Sequence, residues 1–202
     1  MRKVKIAVMV SGGGTNLQAL IDAQKNGIID SGEIVLVLSN NPNAYALTRA
    51  TNAGIKTAVV LKKDYCNALE FENAIKKVLF DNGIELIVLA GFMSILSEDF
   101  VKDYPERIIN VHPSLIPSFC GAGFYGLKVH EEALKKGVKV TGATVHFVNE
   151  IPDGGKIIMQ KAVKVRENDT PSILQKRVMK QAEWKILPMS TNLVCKKILM
   201  EK

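Results

Sequence analysis

The chain has 202 residues, of which 47% are hydrophobic and 23% charged, a composition typical of one globular domain. Its apolar runs are too short to span a bilayer, so we expect no membrane contact and a cytoplasmic location. The formal net charge of +7 permits nucleic-acid binding, but the basic residues are scattered in short pairs without interleaved aromatic residues, so we expect no nucleic-acid partner.

The chain begins with a strand, a glycine-rich loop and a helix. Val4 to Val10 is an apolar strand, residues 11–16 read SGGGTN, and the LQALIDAQ that follows has helical spacing of its apolar residues. Such a unit points backbone N–H groups and a helix N-terminus at an anion. The loop matches neither GxGxxG nor the P-loop pattern, and a tight turn that uses glycine only for its backbone freedom is the alternative.

The next segments alternate between strand and helix patterns, which is typical of a parallel sheet with helical crossovers. We expect strands at 34–38, 57–61 and 84–90, and helices at 44–53 and 67–81. Gly83 follows the second helix as a stop signal. The strand IELIVLA is apolar almost throughout, as expected of a central strand covered on both faces, and it leads into the loop GFMSIL.

The stretch RIINVHPSLIP, at 107–117, predicts the end of a buried strand, because Pro113 cannot donate to a sheet ladder. Asn110 and His112 are two apart on this strand, so their side chains point to the same face. Ligands of α/β sheets bind beyond such strand ends. Taken singly, Asn110 is also explained as a turn former and His112 as a core histidine; as a pair they indicate a site.

The remainder of the chain predicts a glycine-rich loop and an edge hairpin. The loop SFCGAGFYGLK is a candidate for a mobile lid or for an irregular surface excursion. The other expected elements are a helix at 129–136, strands at 138–149 and 156–165 joined by a turn at Asp153-Gly154-Gly155, and helical structure over 170–202 interrupted at Pro188.

Together these elements predict one α/β domain over residues 1–202, with a mostly parallel twisted sheet of Rossmann-like type, helices on both faces and an antiparallel edge hairpin. The loops SGGGTN, GFMSIL and NVHPSLIP each follow an apolar strand, which predicts one shared pocket. Cys66, Cys120 and Cys195 are widely spaced, so we expect neither a disulfide framework nor a metal site.

In this order, SGGGTN, GFMSIL, NVHPSLIP and HFVNEIPDGG resemble the motifs of the folate-dependent formyltransferases, from about residue 5 to residue 188. The most specific elements are N-x-H-P-S-L-[LI]-P and the later D-G-G after H-F-V. The resemblance is to the members that formylate glycinamide ribonucleotide in purine synthesis. It implies 10-formyltetrahydrofolate as co-substrate, glycinamide ribonucleotide as acceptor and no metal, and we expect a monomer or homodimer.

The resemblance also implies roles for individual residues. The catalytic group falls on Asn110, His112 and Asp153. The ribonucleotide contacts fall on Gly14, Thr15, Asn16, Lys180 and Glu183. The folate contacts fall on Met93, Ser94, Ile95, Leu96, Asn110, Asn149, Glu150, Ile151, Pro152 and Asp153.

The sequence departs from the family pattern at several positions outside the catalytic group. Ala68 and Ser94 stand where relatives have an arginine near the folate, and Trp184 follows Glu183 where the family has histidine. The glycine-rich loop is longer than in many relatives. These departures concern substrate contacts rather than Asn110, His112 or Asp153.

The residue types suit formyl transfer, in which an amine attacks a formyl carbonyl, charge builds on oxygen and a proton leaves nitrogen. Asn110 can donate to the oxyanion, and His112 can stabilise that charge or move the proton. Asp153 can orient or charge His112, or relay the proton through water. On sequence alone, Asp153 is explained equally well as a turn residue.

Other functions agree less well with the same sequence. Enzymes that form formyl-methionyl-tRNA or hydrolyse formyl-folate normally carry an additional domain, for which 202 residues leave no room. An RNA-binding module is supported only by the net charge of +7. A nicotinamide oxidoreductase is disfavoured, because the glycine loop lacks GxGxxG and the acidic residue expected about 20 positions later.

Overall fold

One seven-stranded sheet runs through the computed structural model, which describes residues 2–201. Its strands are β1 (Val4–Val10), β2 (Gly32–Ser39), β3 (Lys56–Val59), β4 (Leu86–Leu89), β5 (Ile108–His112), β6 (Val140–Phe147) and β7 (Ile157–Lys164). The order in the sheet is β3-β2-β1-β4-β5-β6-β7. The first five strands are parallel, and β6 pairs antiparallel with both β5 and β7. The predicted α/β fold and its edge hairpin are confirmed.

Helices cover both faces of the sheet. They are α1 (Thr15–Lys25), α2 (Tyr45–Asn52), α3 (Ala68–Asp81), α4 (Glu98–Lys102), α5 (Leu127–Lys136), α6 (Pro171–Val178) and α7 (Trp184–Met200). A short 3-10 turn precedes α3, and a π-helical turn, Met179–Glu183, joins α6 to α7. Within residues 2–201, no helix combines the length and apolar character needed to cross a membrane.

Alternate residues of the central strands feed two hydrophobic cores. Val8 of β1 packs in the core formed with α1, α2, α6 and α7, whereas Met9 packs in the core formed with α3 and α4. All four residues of β4 are buried, as the apolar run IELIVLA predicts for a central parallel strand.

Local signals explain where several helices begin and end. Asn67 caps α3 by accepting a hydrogen bond from the backbone N–H of Glu70, and Gly83 after α3 has a φ of 62°. Thr170 caps α6 in the same way, and Pro171 occupies the first turn, where its missing N–H costs nothing.

One expectation for the helices was wrong, and one helix was not expected. Helical structure is not interrupted at Pro188, which lies buried inside α7. The irregular segment is instead the π-helical turn that ends at Glu183. A proline removes only one helical hydrogen bond, and the core packing of Ile186 and Leu187 holds this helix together around it. Helix α4 has no signal in the sequence, because its five residues are too few to show helical periodicity.

The loops after β1 and β4 flank the point where the strand order reverses direction. The chain moves from β1 outward to β2 and β3, then returns to the other side of β1 with β4 and β5. Such a switch point opens a crevice at the carboxyl ends of the strands. The two loops are joined there: the N–H of Ser11 donates to the Gly91 carbonyl at 3.1 Å, and the N–H of Met93 donates to the Ser11 hydroxyl at 2.8 Å.

Gly14 serves the packing of α1 against α2. It precedes α1 with a φ of 71°, and a Cβ at this position would lie 2.6 Å from the Cβ of Ala46. Backbone strain and a clash with a buried neighbour therefore both exclude a side chain. The glycine is required by the fold, whether or not a ligand approaches the loop.

We predict that Gly14→Val lowers the free energy of unfolding by at least about 2 kcal/mol, because it adds both strain and overpacking. Gly12→Ala is the matched control, since a Cβ at Gly12 meets nothing within 4 Å and should change stability by less than about 0.5 kcal/mol. Urea denaturation of both variants measures this. Equal stability of the two variants would show that α2 does not restrict Gly14.

Candidate active site

A cavity of about 690 Å³ lies at the carboxyl ends of β4 and β5. The predicted site residues in its lining are Asn16, Met93, Ser94, Ile95, Leu96, Asn110, His112, Asn149, Glu150, Ile151, Pro152, Asp153 and Glu183. Gly14, Thr15 and Lys180 were also predicted, but they lie outside this lining. The structure thus brings the predicted catalytic and folate residues together, and it brings two of the five predicted ribonucleotide residues to the same cavity.

Asn110 and His112 are positioned by β5 and project into the cavity from the same face of the strand. The antiparallel pairing of β5 with β6 places His146 directly opposite Asn110. The amide nitrogen Nδ2 of Asn110 lies 3.3 Å from Nε2 of His146. An amide nitrogen carries two N–H groups, so one remains available to a ligand when the other donates to His146.

His112 is buried and oriented through both ring nitrogens. Its Nε2 lies 2.8 Å from the carbonyl oxygen of Phe119, which can only accept, so Nε2 carries hydrogen. Its Nδ1 lies 3.4 Å from Oδ2 of Asp153. Burial lowers the pKa of His112 below its ordinary value, and the charge of His146 acts in the same direction; the Phe119 carbonyl and Asp153 oppose them.

His146 is a second imidazole of the site and was not among the predicted site residues. Its Nδ1 donates to the carbonyl of Phe147 at 2.8 Å, which leaves Nε2 facing Oδ1 of Asp153 at 3.5 Å. The only sequence signal was its place in the H-F-V segment before D-G-G. The register of β6 against β5 brings His146 beside Asn110, and this register cannot be read from the sequence.

Asp153 lies between the two imidazoles. It has a φ of 57° in the turn that follows β6, and its Oδ2 accepts a hydrogen bond from the N–H of Gly121 at 2.9 Å. Burial alone would raise the pKa of Asp153, but the contact with His146, the hydrogen bond from the N–H of Gly121 and the charges of the two imidazoles when protonated lower it below its ordinary value. Asp153 is thus both a turn residue and an ionised partner of His112 and His146.

The tautomers of the two imidazoles follow from these contacts. Each ring uses one N–H for a backbone carbonyl, so the nitrogen that faces Asp153 carries hydrogen only when the ring is cationic. Asp153 therefore stabilises a proton that arrives on either His112 or His146. Next to Asn110, this arrangement suits a reaction in which an oxygen gains charge while a proton leaves the nucleophile.

The rim of the cavity is apolar, and hydrogen bonds to a buried glutamate fix one of its segments. Met93, Ile95 and Ile151 are all more than half exposed there. Glu72, which is buried on α3, accepts hydrogen bonds from the backbone N–H and the hydroxyl of Ser97 and so fixes the end of the segment that contains Met93 and Ile95. An exposed apolar rim of this kind can cover a planar ring of a ligand.

The two departures from the family pattern near this rim have ordinary structural roles. Ser94 accepts a hydrogen bond from Nδ2 of Asn40 at 2.9 Å, and Ala68 is the first residue of α3. Neither supplies positive charge to the cavity.

The cavity wall opposite the apolar rim contains a buried carboxyl group. Nδ2 of Asn16 donates to Oε2 of Glu183 at 2.7 Å. Burial raises the pKa of Glu183 to about 7, although the hydrogen bond from Asn16 acts against this. Oδ1 of Asn16 is buried without a hydrogen-bond partner in the part of the chain that the structure describes. These two side chains offer unused hydrogen-bonding groups to a polar ligand.

The loop beside this wall is open to an anion. A Cβ at Gly12 or Gly13 would meet nothing within 4 Å, and no side chain caps the start of α1. Arg49, which was not among the predicted site residues, donates from Nε to the Gly13 carbonyl at 2.9 Å and brings a cation to the loop. Exposed backbone N–H groups at a helix start beside an arginine favour a phosphate.

No metal site is recognisable from the side chains of residues 2–201: no three of their His, Cys, Asp or Glu groups are arranged to hold an ion. The groups that converge in the cavity are instead a carboxamide, imidazoles and carboxyl groups. A site of this kind suits an enzyme of acyl transfer, in which a substrate can supply the nucleophile.

The chain belongs to the formyl transferase family, which matches residues 4–191. It is 42% identical to the phosphoribosylglycinamide formyltransferase of Haemophilus influenzae, over 92% of this chain and 84% of that protein. The trifunctional purine biosynthetic protein adenosine-3 of Homo sapiens is 47% identical over 96% of this chain, which spans 18% of that protein.

The fold of the chain is also similar to that of solved formyltransferase structures. Glycinamide ribonucleotide transformylase 1 from Symbiobacterium toebii has a TM-score of 0.90 and 38% identity, covering 96% of this chain and 89% of that chain. The phosphoribosylglycinamide formyltransferase from Brucella melitensis has a TM-score of 0.88 and 39% identity, covering 96% of each chain.

We predict that Glu183→Gln makes the protein more stable than the wild type at pH 8 but not at pH 4. Because the pKa of Glu183 is raised from 4.5 to about 7, the folded state binds more protons than the unfolded state in this window, so stability falls as pH rises through it. The free energy of unfolding of the wild type falls by an amount on the order of 3 kcal/mol across this window. Denaturant unfolding of both proteins across this pH range measures the difference.

The exposed Glu167 provides the control, since Glu167→Gln should leave the free energy of unfolding at pH 8 within about 0.5 kcal/mol of the wild type. A Glu183→Gln profile parallel to that of the wild type would show that the pKa of Glu183 is the same in the folded and unfolded states and that its burial does not shift it.

Proposed function

We propose that this protein transfers the formyl group of 10-formyltetrahydrofolate to the amine of glycinamide ribonucleotide, giving formylglycinamide ribonucleotide and tetrahydrofolate. The observation that carries the proposal is the convergence of His112 and His146 on Asp153 beside the free N–H of Asn110. The bacterial relatives that match along most of their length are named for this reaction.

The chemistry requires an oxyanion donor and a proton acceptor, and the site offers both. The amine nitrogen attacks the formyl carbon, and the N–H of Asn110 that His146 does not use stabilises the charge on the formyl oxygen. The amine gives up a proton to the pair formed by His112 and Asp153, whose ring nitrogen and carboxylate lie 3.4 Å apart. The bond from the formyl carbon to N10 of the folate then breaks, and N10 takes up a proton.

The two substrates are assigned to opposite walls of the cavity. The folate ring lies against the apolar rim of Met93, Ile95 and Ile151, with residues 149–153 at its side. The ribonucleotide phosphate lies on the loop that contains Gly12 and Gly13, and its ribose faces Asn16 and Glu183. This loop, like Gly14 and Thr15, lies outside the cavity lining and meets it at Asn16, and Lys180 is exposed on the π-helical turn.

The proposal gives this protein two small-molecule substrates and no metal. The expected cytoplasmic location, the absence of a nucleic-acid partner and the monomeric or homodimeric state stay predictions. Incubation with 10-formyltetrahydrofolate, with and without glycinamide ribonucleotide, tests the reaction through the change in folate absorbance. Folate turnover that requires the ribonucleotide is expected; turnover without any acceptor would instead make the protein a formyl-folate hydrolase.

We predict that Asp153→Asn and His112→Ala each lower kcat at least about 100-fold, because the amide cannot stabilise a cationic imidazole and alanine cannot take the proton. The double variant should be little worse than either single variant, since the two side chains act as one unit. Asp81→Asn, which removes an exposed carboxylate from α3, is the matched control and should retain wild-type kcat.

Circular dichroism and substrate binding establish that the variants are folded. If folded Asp153→Asn turns over within a few-fold of the wild type, Asp153 has no part in the chemistry and its role is confined to the turn.

A further inference from the structure

His130 is a third histidine of the cavity, and neither the sequence motifs nor the mechanism above uses it. It lies in the first turn of α5, is 0% exposed and contributes to the cavity lining. Neither of its ring nitrogens has a hydrogen-bond partner among the residues that the structure describes. In contrast, His112 and His146 each bind a backbone carbonyl.

A buried polar group without a partner is costly, typically by about 1 to 3 kcal/mol. The ring of His130 is 0% exposed, and Val129 and Ala133 on the same helix are fully buried as well, so bulk water does not supply the missing partners. The side chain therefore keeps an unused donor and an unused acceptor in the wall of the cavity. A group of this kind calls for an explanation, and a ligand that supplies the missing partner is one.

The surroundings of His130 keep its ring neutral. Burial lowers its pKa to about 4, and the charge of His112 acts in the same direction. A neutral imidazole presents one N–H donor and one lone pair, a combination that matches a carboxamide, which has a C=O and an N–H.

The packing of α5 indicates which substrate contacts the ring of His130. This helix packs against α6, whose Gln175 lines the cavity, and the chain continues from α6 to Met179 and Glu183 in the same wall. That wall is the one assigned to the ribonucleotide. The segments 93–96 and 149–153, assigned to the folate, come from other elements of the fold.

We propose that His130 binds the carboxamide of the acceptor's glycinamide arm through a neutral imidazole, and so positions the amine for attack. The inference rests on the proposed function, since it takes glycinamide ribonucleotide as the acceptor. His130 is then a positioning residue whose hydrogen bonds form only when the ribonucleotide is bound.

Two substitutions separate this role from a structural one. His130→Leu removes both hydrogen-bonding groups at similar volume, whereas His130→Gln keeps a donor and an acceptor. We expect His130→Leu to raise the KM for the ribonucleotide about 3- to 10-fold, the effect of one or two lost hydrogen bonds, with the KM for the folate within about twofold. His130→Gln should recover at least part of the loss.

Thermal unfolding supplies a readout that does not depend on turnover. The free His130→Leu protein should unfold at the same or a higher temperature than the wild type, because an unpartnered polar group is gone. The rise in Tm caused by saturating glycinamide ribonucleotide should be smaller than in the wild type. Should His130→Leu fail to fold, His130→Met serves for the same comparison.

Ser190→Ala is the matched control, because the Ser190 hydroxyl is also buried and has no partner within residues 2–201, but it lies on α7 outside the cavity lining. It should leave both KM values unchanged. The inference is overturned if folded His130→Leu keeps the wild-type KM for the ribonucleotide, or if its free Tm falls while the ribonucleotide-induced rise is unchanged, as for a ring held by a structural water. Failure of the wild type to formylate the ribonucleotide would instead refute the proposed function.

Discussion

The antiparallel pairing of β5 with β6 is the constraint on which the candidate site depends. Parallel strands alone would place Asn110 and His112 at a strand end with no facing imidazole. Because β6 runs in the opposite direction, its His146 lies across from Asn110, and the turn after β6 returns Asp153 to both rings. One change of strand direction at the edge of a parallel sheet thus supplies both the second imidazole and the carboxylate.

The turn itself restricts which residues can follow Asp153. A Cβ at Gly155 would lie 1.8 Å from the Phe147 carbonyl oxygen, so the chain can fold back at this point only with glycine. The Asp153 backbone is held in the left-handed region, and its carboxylate accepts the N–H of Gly121 from the glycine-rich loop. That loop also supplies the Phe119 carbonyl that fixes the tautomer of His112, so it takes part in the site through its backbone.

Much of this architecture could be predicted from local sequence, and the remainder depends on tertiary contacts. Pro113 marks the end of β5, and spacing places Asn110 and His112 on one face, so both were found. His146 and His130 were missed because a single histidine in a strand or helix has no local signal, and only register and packing bring each to the cavity. The resemblance to a known family placed Asp153 in the site, where sequence spacing alone left it a turn residue.

The central claim is that Asp153 lies between two imidazoles whose tautomers are set by backbone carbonyls, and nitrogen-15 NMR of histidine-labelled protein tests it most directly. At a pH where the rings are neutral, His112 should carry its hydrogen on Nε2 and His146 on Nδ1. Asp153→Asn should then make His112 harder to protonate, because its ring loses the facing carboxylate. The opposite tautomer at either ring, or an unchanged protonation of His112 in Asp153→Asn, would contradict the account.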